Sequence, residues 1–104
     1  MRAGRLEEFS EKPKVVVAGG RHCAVARLGG SVYAFESLCP HAKWPLGFIG
    51  RVFLNREGRP MLLCAMHGGV WDLVSGEGSV EGKPAPPIRR YPVEVVDGDV
   101  HVRL

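Results

Sequence analysis

The sequence contains no glutamine, no threonine and a single asparagine, and arginine outnumbers lysine by 10 to 4. Low amide content is a trait of thermophile proteins, but genomic base composition produces the same bias, so this absence leaves the source open. Cysteine is scarce as well. Three cysteines, an odd number, argue against a disulfide framework and for thiols kept reduced. Met1 to Ser10 alternates charge with single apolar residues and has no apolar h-region, so it does not read as a secretory signal. No apolar stretch approaches the length of a membrane span. The expectation is a soluble, cytoplasmic protein with no membrane partner. Charge of one sign is thin too: the net +3 is spread as +1 over residues 1–14, +1 over 15–36, +1 over 37–78 and zero over 79–104. That distribution excludes a nucleic-acid footprint. The densest excess, Lys43, Arg51, Arg56 and Arg59 against Glu57, reads as a solvated loop, with an acidic partner as the alternative. There is no internal repeat and no amphipathic helix.

What is present points to β-structure. The 104 residues make one domain. They include 14 glycines, 8 prolines and 14 valines, a turn-dense composition with side chains that pack on a pleated surface. Residues 14–18, 22–28 and 32–36 read as a three-stranded meander turning at Gly19-Gly20 and Gly29-Gly30. Tyr91–Val96 and Asp99–Arg103 flank Asp97-Gly98, a strong short-range hairpin signal. The two termini are expected to pair in one base sheet. Residues 51–54 and 61–64 bracket a charged tip at 55–60, and 70–74 gives another short strand. The run Gly82-Lys83-Pro84-Ala85-Pro86-Pro87 cannot sit in a central strand, because proline lacks the ladder donor, and it reads as a stiff irregular loop.

The chemistry lies in two short elements separated by 22 residues, Cys39-Pro40-His41 and Cys64-Ala65-Met66-His67. Each supplies one thiol and one imidazole from a loop, so Cys39, His41, Cys64 and His67 are the candidate metal and cofactor ligands. No catalytic residue is singled out. His22, Cys23 and His101 lack such company and read as core or surface residues. Four such donors suit tetrahedral Zn(II), but a zinc finger commonly takes its two Cys from one turn and its two His from another. Here they are interleaved.

This interleaving resembles the Rieske iron-sulfur family, whose signature is Cys-x-His followed after a gap by Cys-x-x-His. The resemblance covers nearly the whole chain. It includes Tyr33-Ala34, Leu38-Cys39-Pro40-His41-Ala42, Cys64-Ala65-Met66-His67-Gly68-Gly69 with Trp71-Asp72 and Gly76, the proline run and the final Asp97-Gly98 hairpin. It implies an all-β Rieske-type fold in one domain, residues 1–104. An antiparallel β-sandwich base would comprise 1–36 and 79–104, and a smaller cluster-binding β lobe 37–78. It further implies one 2Fe-2S cluster in which Cys39 and Cys64 hold one iron and His41 and His67 the other. Two ferric ions, two sulfides and two thiolates sum to about zero charge with neutral imidazoles. Adding an electron there costs less than adding it to the negative four-thiolate cluster. High-potential members of the family carry two loop cysteines joined as a disulfide, and a serine and a tyrosine that donate hydrogen bonds to sulfur. The equivalent positions here are Trp44 and Met66, Gly69 and Trp71, which implies a potential toward the lower end of the roughly −150 to +300 mV Rieske span. Trp44 and Trp71 read as packing residues under the lobe. The proline run is similar to the family's loop over the cluster, with a stiff linker as the alternative.

The family's oxygenases add a second domain with a mononuclear iron, for which this chain has no room. The implied function is therefore an electron carrier, not itself an enzyme, that passes one electron from a flavin reductase to an acceptor such as a ring-hydroxylating oxygenase. Two other readings stay open at this point: the small subunit of a nitrite reductase, and a zinc-stabilised Cys2His2 binding module without redox chemistry.

Overall fold

A computed structural model describes every residue except Ala42 and His67. Three antiparallel sheets carry the chain. β1 (Arg2–Arg5) and β11 (Val93–Val96) flank β12 (Asp99–Val102) in the first, so the two termini do share a sheet. The second orders β10 (Arg90–Tyr91), β4 (Ser31–Phe35), β3 (Arg21–Leu28) and β2 (Lys14–Ala18), and contains the expected meander. The third runs β5 (Gly50–Leu54), β6 (Pro60–Cys64), β7 (Gly69–Asp72), β8 (Gly78–Val80) and β9 (Lys83–Ala85). The β11–β12 turn places Asp97 at φ 51° and Gly98 at φ 80°, the two positive dihedrals that a tight turn matching strand twist demands.

β3 explains the layering. Residues 23–26 are all buried, which a strand permits only when both its faces are covered. Cys23 and Val25 join Phe9, Ala34, Val100 and Val102 in one core, on the side of the first sheet. Ala24 and Ala26 face the other way into a second core with Phe35, Cys39, Leu46, Val52, Leu62, Cys64, Trp71, Leu73 and Ile88. β3 is therefore the wall between the two cores.

Two expectations, for the proline run and for Trp44, are corrected. Pro84 lies within β9 and pairs with Ser79, so the proline run opens with a short strand; β9 is the edge of its sheet, where a missing ladder donor is tolerated. This sheet accordingly continues past residue 78 to Ala85. A four-residue helix, α1 (Leu46–Ile49), also forms directly after the first Cys-His loop. It is too short to show helical periodicity. Trp44 is 49% exposed, so it is not a buried packing residue under the lobe.

The charged tip at 55–59 is well tied. Asn55 Oδ1 accepts the Glu57 and Arg59 N–H groups, both at 2.9 Å. Arg59 Nε donates to Asp72 Oδ2 at 2.5 Å, and the other Asp72 oxygen accepts the Val74 and Ser75 N–H groups. The Arg59 hydrogen bond, helped by those two amides, holds the Asp72 carboxyl below its ordinary range. A carboxylate depressed in the folded state contributes stability above its unfolded pKa, near 3.9, and loses it as pH falls through the folded value. Asp72→Asn is expected to lower the urea midpoint at pH 7 and to flatten its decline below about pH 4. Parallel pH profiles for the two proteins would contradict this.

Candidate metal centre

The first ligand loop is a miniature hairpin. Ser37 accepts the Leu46 N–H at 2.8 Å, Leu38 bridges Pro45, the Cys39 N–H donates to the Trp44 carbonyl at 2.9 Å, and the Lys43 N–H returns to the Cys39 carbonyl at 2.8 Å. Lys43 turns the chain at φ 59°. The second loop caps the β6–β7 hairpin. Cys64 closes β6 opposite Gly50 on one side and Gly69 on the other. The Ala65 N–H donates to the Ile49 carbonyl at 3.0 Å, so α1 links the end of one loop to the start of the other.

Of the four expected ligands, the structure brings Cys39 and Cys64 into the same core, both buried, and leaves His41 exposed. His67 lies outside the described residues. None of the three cysteines is joined in a disulfide. Cys23 stays in the base core, where burial pushes its thiol up, as expected of a packing residue. His101 lies on β12 opposite Arg2 and Glu94, far in the fold from both loops. Among the described residues, no group of three or more His, Cys, Asp or Glu side chains lies close enough together to hold a metal ion.

This donor set fits an iron-sulfur group. Thiolates deep in an apolar core are unfavourable unless a cation compensates them, and a ferric-sulfide unit of charge +2 cancels two. His41 faces solvent, where a neutral ligand loses little. His22 carries a signal that its residue type hid: its ring Nδ1 lies 2.5 Å from Ser37 Oγ, at the foot of the first ligand loop.

Trp71 holds the floor of the lobe. It is fully buried, and its Nε1–H donates to the Pro86 carbonyl at 2.9 Å, tying the proline segment to β7. Its indole covers two glycines. Gly78 is its cross-strand partner on β8, and Gly69 lies two residues back on its own face. A Cβ at Gly69 would lie 2.6 Å from Trp71 Cζ3 and 3.1 Å from Val80 Cγ2. The glycine and the tryptophan are thus one packing decision. The indole N–H, committed to Pro86, is turned to structure.

The family model for Rieske [2Fe-2S] domains matches residues 1–92. The anthranilate 1,2-dioxygenase ferredoxin subunit of Burkholderia cepacia is 34% identical over 107 residues, covering 97% of this chain and 88% of that protein. The ferredoxin of carbazole 1,9a-dioxygenase from Nocardioides aromaticivorans IC177 superposes with a TM-score of 0.80 at 27% identity, covering 98% of this chain and 94% of the other. A structure from Mycobacterium tuberculosis described as an NADH-dependent nitrite reductase small subunit matches with a TM-score of 0.80 at 24% identity, over 100% and 94% of the two chains. At that identity the last likeness is one of fold.

The Trp71 contacts give a direct test. Gly69→Ser should lower unfolding stability by about 1–3 kcal/mol, the range for overpacking. Adding Trp71→Tyr should restore part of the loss, so that the double variant is less damaged than the sum of the singles. Additive losses in a denaturant titration, or a harmless Gly69→Ser, would refute the coupling.

Proposed function

The chain belongs to the Rieske [2Fe-2S] domain family and carries one Rieske-type cluster, and from that premise we propose that Cys39 and Cys64 ligate one iron and His41 and His67 the other. The protein transfers electrons to a ring-hydroxylating oxygenase, in keeping with its likeness to the ferredoxin subunits of dioxygenases. The cluster, when bound, supplies a one-electron couple. The observation that carries the reading is the asymmetry of the two ligand loops: thiols buried in an apolar core, His41 at the surface.

The chain's own residues do the rest. The Cys39 and Cys64 side chains, packed with Leu46, Leu62 and Trp71, keep water from the sulfur side. His41 places the nitrogen side where a partner can approach closely, which an electron carrier needs. Trp71, its N–H spent on Pro86, offers no donor to sulfur, and Gly69 has no side chain to offer one. Hydrogen bonds to sulfur stabilise the electron-rich reduced state, so their absence from these two positions sets a potential in the lower part of the Rieske span.

We assign no catalytic residue to the chain. Turnover belongs to the acceptor, and a flavin reductase is the donor class that suits a one-electron carrier. An odd count of three cysteines fits thiols kept in a reducing compartment, and we place the protein in the cytoplasm. No helix among the described residues is long and apolar enough to cross a membrane. The division into a base of 1–36 and 79–104 and a cluster-binding lobe of 37–78 is our functional reading of the domain; both ligand loops lie in the latter. The relative that shares a third of its residues is a dioxygenase ferredoxin, which favours that partner over nitrite reductase.

Protein purified anaerobically should contain iron and acid-labile sulfide in equal amounts and give a rhombic EPR signal after dithionite, with a midpoint potential in the lower half of roughly −150 to +300 mV. His41→Ala and His67→Ala should each abolish the Rieske-type signal. A colourless zinc protein, or a reducible cluster that survives replacement of both imidazoles, would overturn the ligand assignment.

A further inference from the structure

Ser37 is the one polar side chain that is buried among the described residues. A buried hydroxyl needs a partner, and its partner is His22 Nδ1, at 2.5 Å. The two residues come from different parts of the fold. His22 lies near the start of β3, directly before the four buried residues that separate the two cores. Ser37 lies two residues before Cys39, and its carbonyl accepts the Leu46 N–H that closes the stem of the first ligand loop.

The bonds inside that loop, Leu38 to Pro45, Cys39 to Trp44 and Lys43 to Cys39, all join the loop to itself. They fix its shape and leave its tilt against the body of the protein to other contacts. The segment before it is held by backbone: the Glu36 N–H donates to the Arg89 carbonyl at 2.9 Å. The His22–Ser37 bond fastens the next residue, at the foot of the hairpin, to the exposed start of β3, directly before its buried stretch. We propose that His22 is a positioning residue for the cluster, holding the first ligand loop through Ser37 at the angle that presents Cys39 and His41 to the metal.

Metal–ligand distances tolerate about 0.2 Å, so a small change in the tilt of an eight-residue hairpin alters ligand geometry. Residues that lock ligand-bearing elements govern how well a site is held. The hydroxyl can donate or accept, and either imidazole tautomer offers Nδ1 the complementary role. The link therefore needs a polar group at the Nδ1 position and no particular protonation state. Asparagine at position 22 supplies a polar group of similar reach; phenylalanine fills the space without one.

The inference rests on the assignment of Cys39 and His41 as ligands, and the experiment separates the two. Cluster-loaded wild type, His22→Phe, His22→Asn, Ser37→Ala, Ser37→Thr and the His22→Phe/Ser37→Ala pair are challenged with excess EDTA. Loss of the visible bands is timed, EPR spectra are recorded after dithionite, and deuterium uptake is measured over a peptide covering 37–46. His22→Phe and Ser37→Ala should each release the cluster about fivefold faster, the equivalent of one net hydrogen bond. Both should raise uptake in that peptide and shift the EPR line shape. The double variant should be no faster than the worse single. His22→Asn and Ser37→Thr should stay within about twofold of wild type. A His22→Phe protein matching wild type in release rate and line shape, or rates that multiply in the double variant, would overturn the proposal while leaving the ligands in place. Should Ser37→Ala fail to fold, the contrast between His22→Phe and His22→Asn decides alone. A wild type with no reducible cluster, or one indifferent to His41→Ala, would instead bring down the ligand assignment.

Discussion

Two thiols held in an apolar core are the constraint on which the rest depends. Cys39 and Cys64 pack with Leu46, Leu62, Val52 and Trp71, side chains that offer no compensating charge. As thiolates they need a compensating cation, and in the proposed ligation a ferric-sulfide unit of charge +2 would cancel both, the two neutral imidazoles adding no charge. In the proposed ligation, neutral imidazoles would keep the total charge near zero, and His41 lies exposed. That arrangement would give both the electron affinity and the point of exit for the electron.

The fold serves that arrangement through a small number of fixed parts. β3, buried on both faces, separates a base core from a cluster core, so the lobe rests on a rigid wall. α1 spans from the first ligand loop to the Ala65 amide of the second, which couples the loops directly. Trp71 lies over Gly69 and Gly78 and reaches Pro86, so that one indole joins β7, β8 and the proline segment. Bulk at Trp71 removes the room for a side chain at Gly69. A side chain at Gly69 and this form of packing exclude each other, which fits the low potential we propose.

Much of this could be read from residue order. Asp97-Gly98 announced its hairpin because a two-residue turn with two positive dihedrals tolerates few residue pairs. The paired Cys and His boxes pointed to a metal centre, and their resemblance to the Rieske signature implied Cys on one iron and His on the other. The strand at Pro84 was hidden, since whether proline breaks a ladder depends on whether the strand lies at an edge, and edges are decided by the whole sheet. Trp44 was misread because the composition of a ligand loop does not say which side chains turn outward. His22 was passed over for the same reason: it is fifteen residues from Ser37, and only the return of β4 alongside β3 brings the two together. His67, outside the described residues, remains an assignment by motif.

The central claim is that nitrogen and sulfur are divided between the two irons. Pulsed EPR of the dithionite-reduced protein tests it most directly, because a nitrogen bound to iron couples strongly to the unpaired spin. Two strongly coupled nitrogens are expected, one disappearing with His41→Ala and the other with His67→Ala if those variants keep any cluster. A reduced cluster with no directly bound nitrogen would contradict the account.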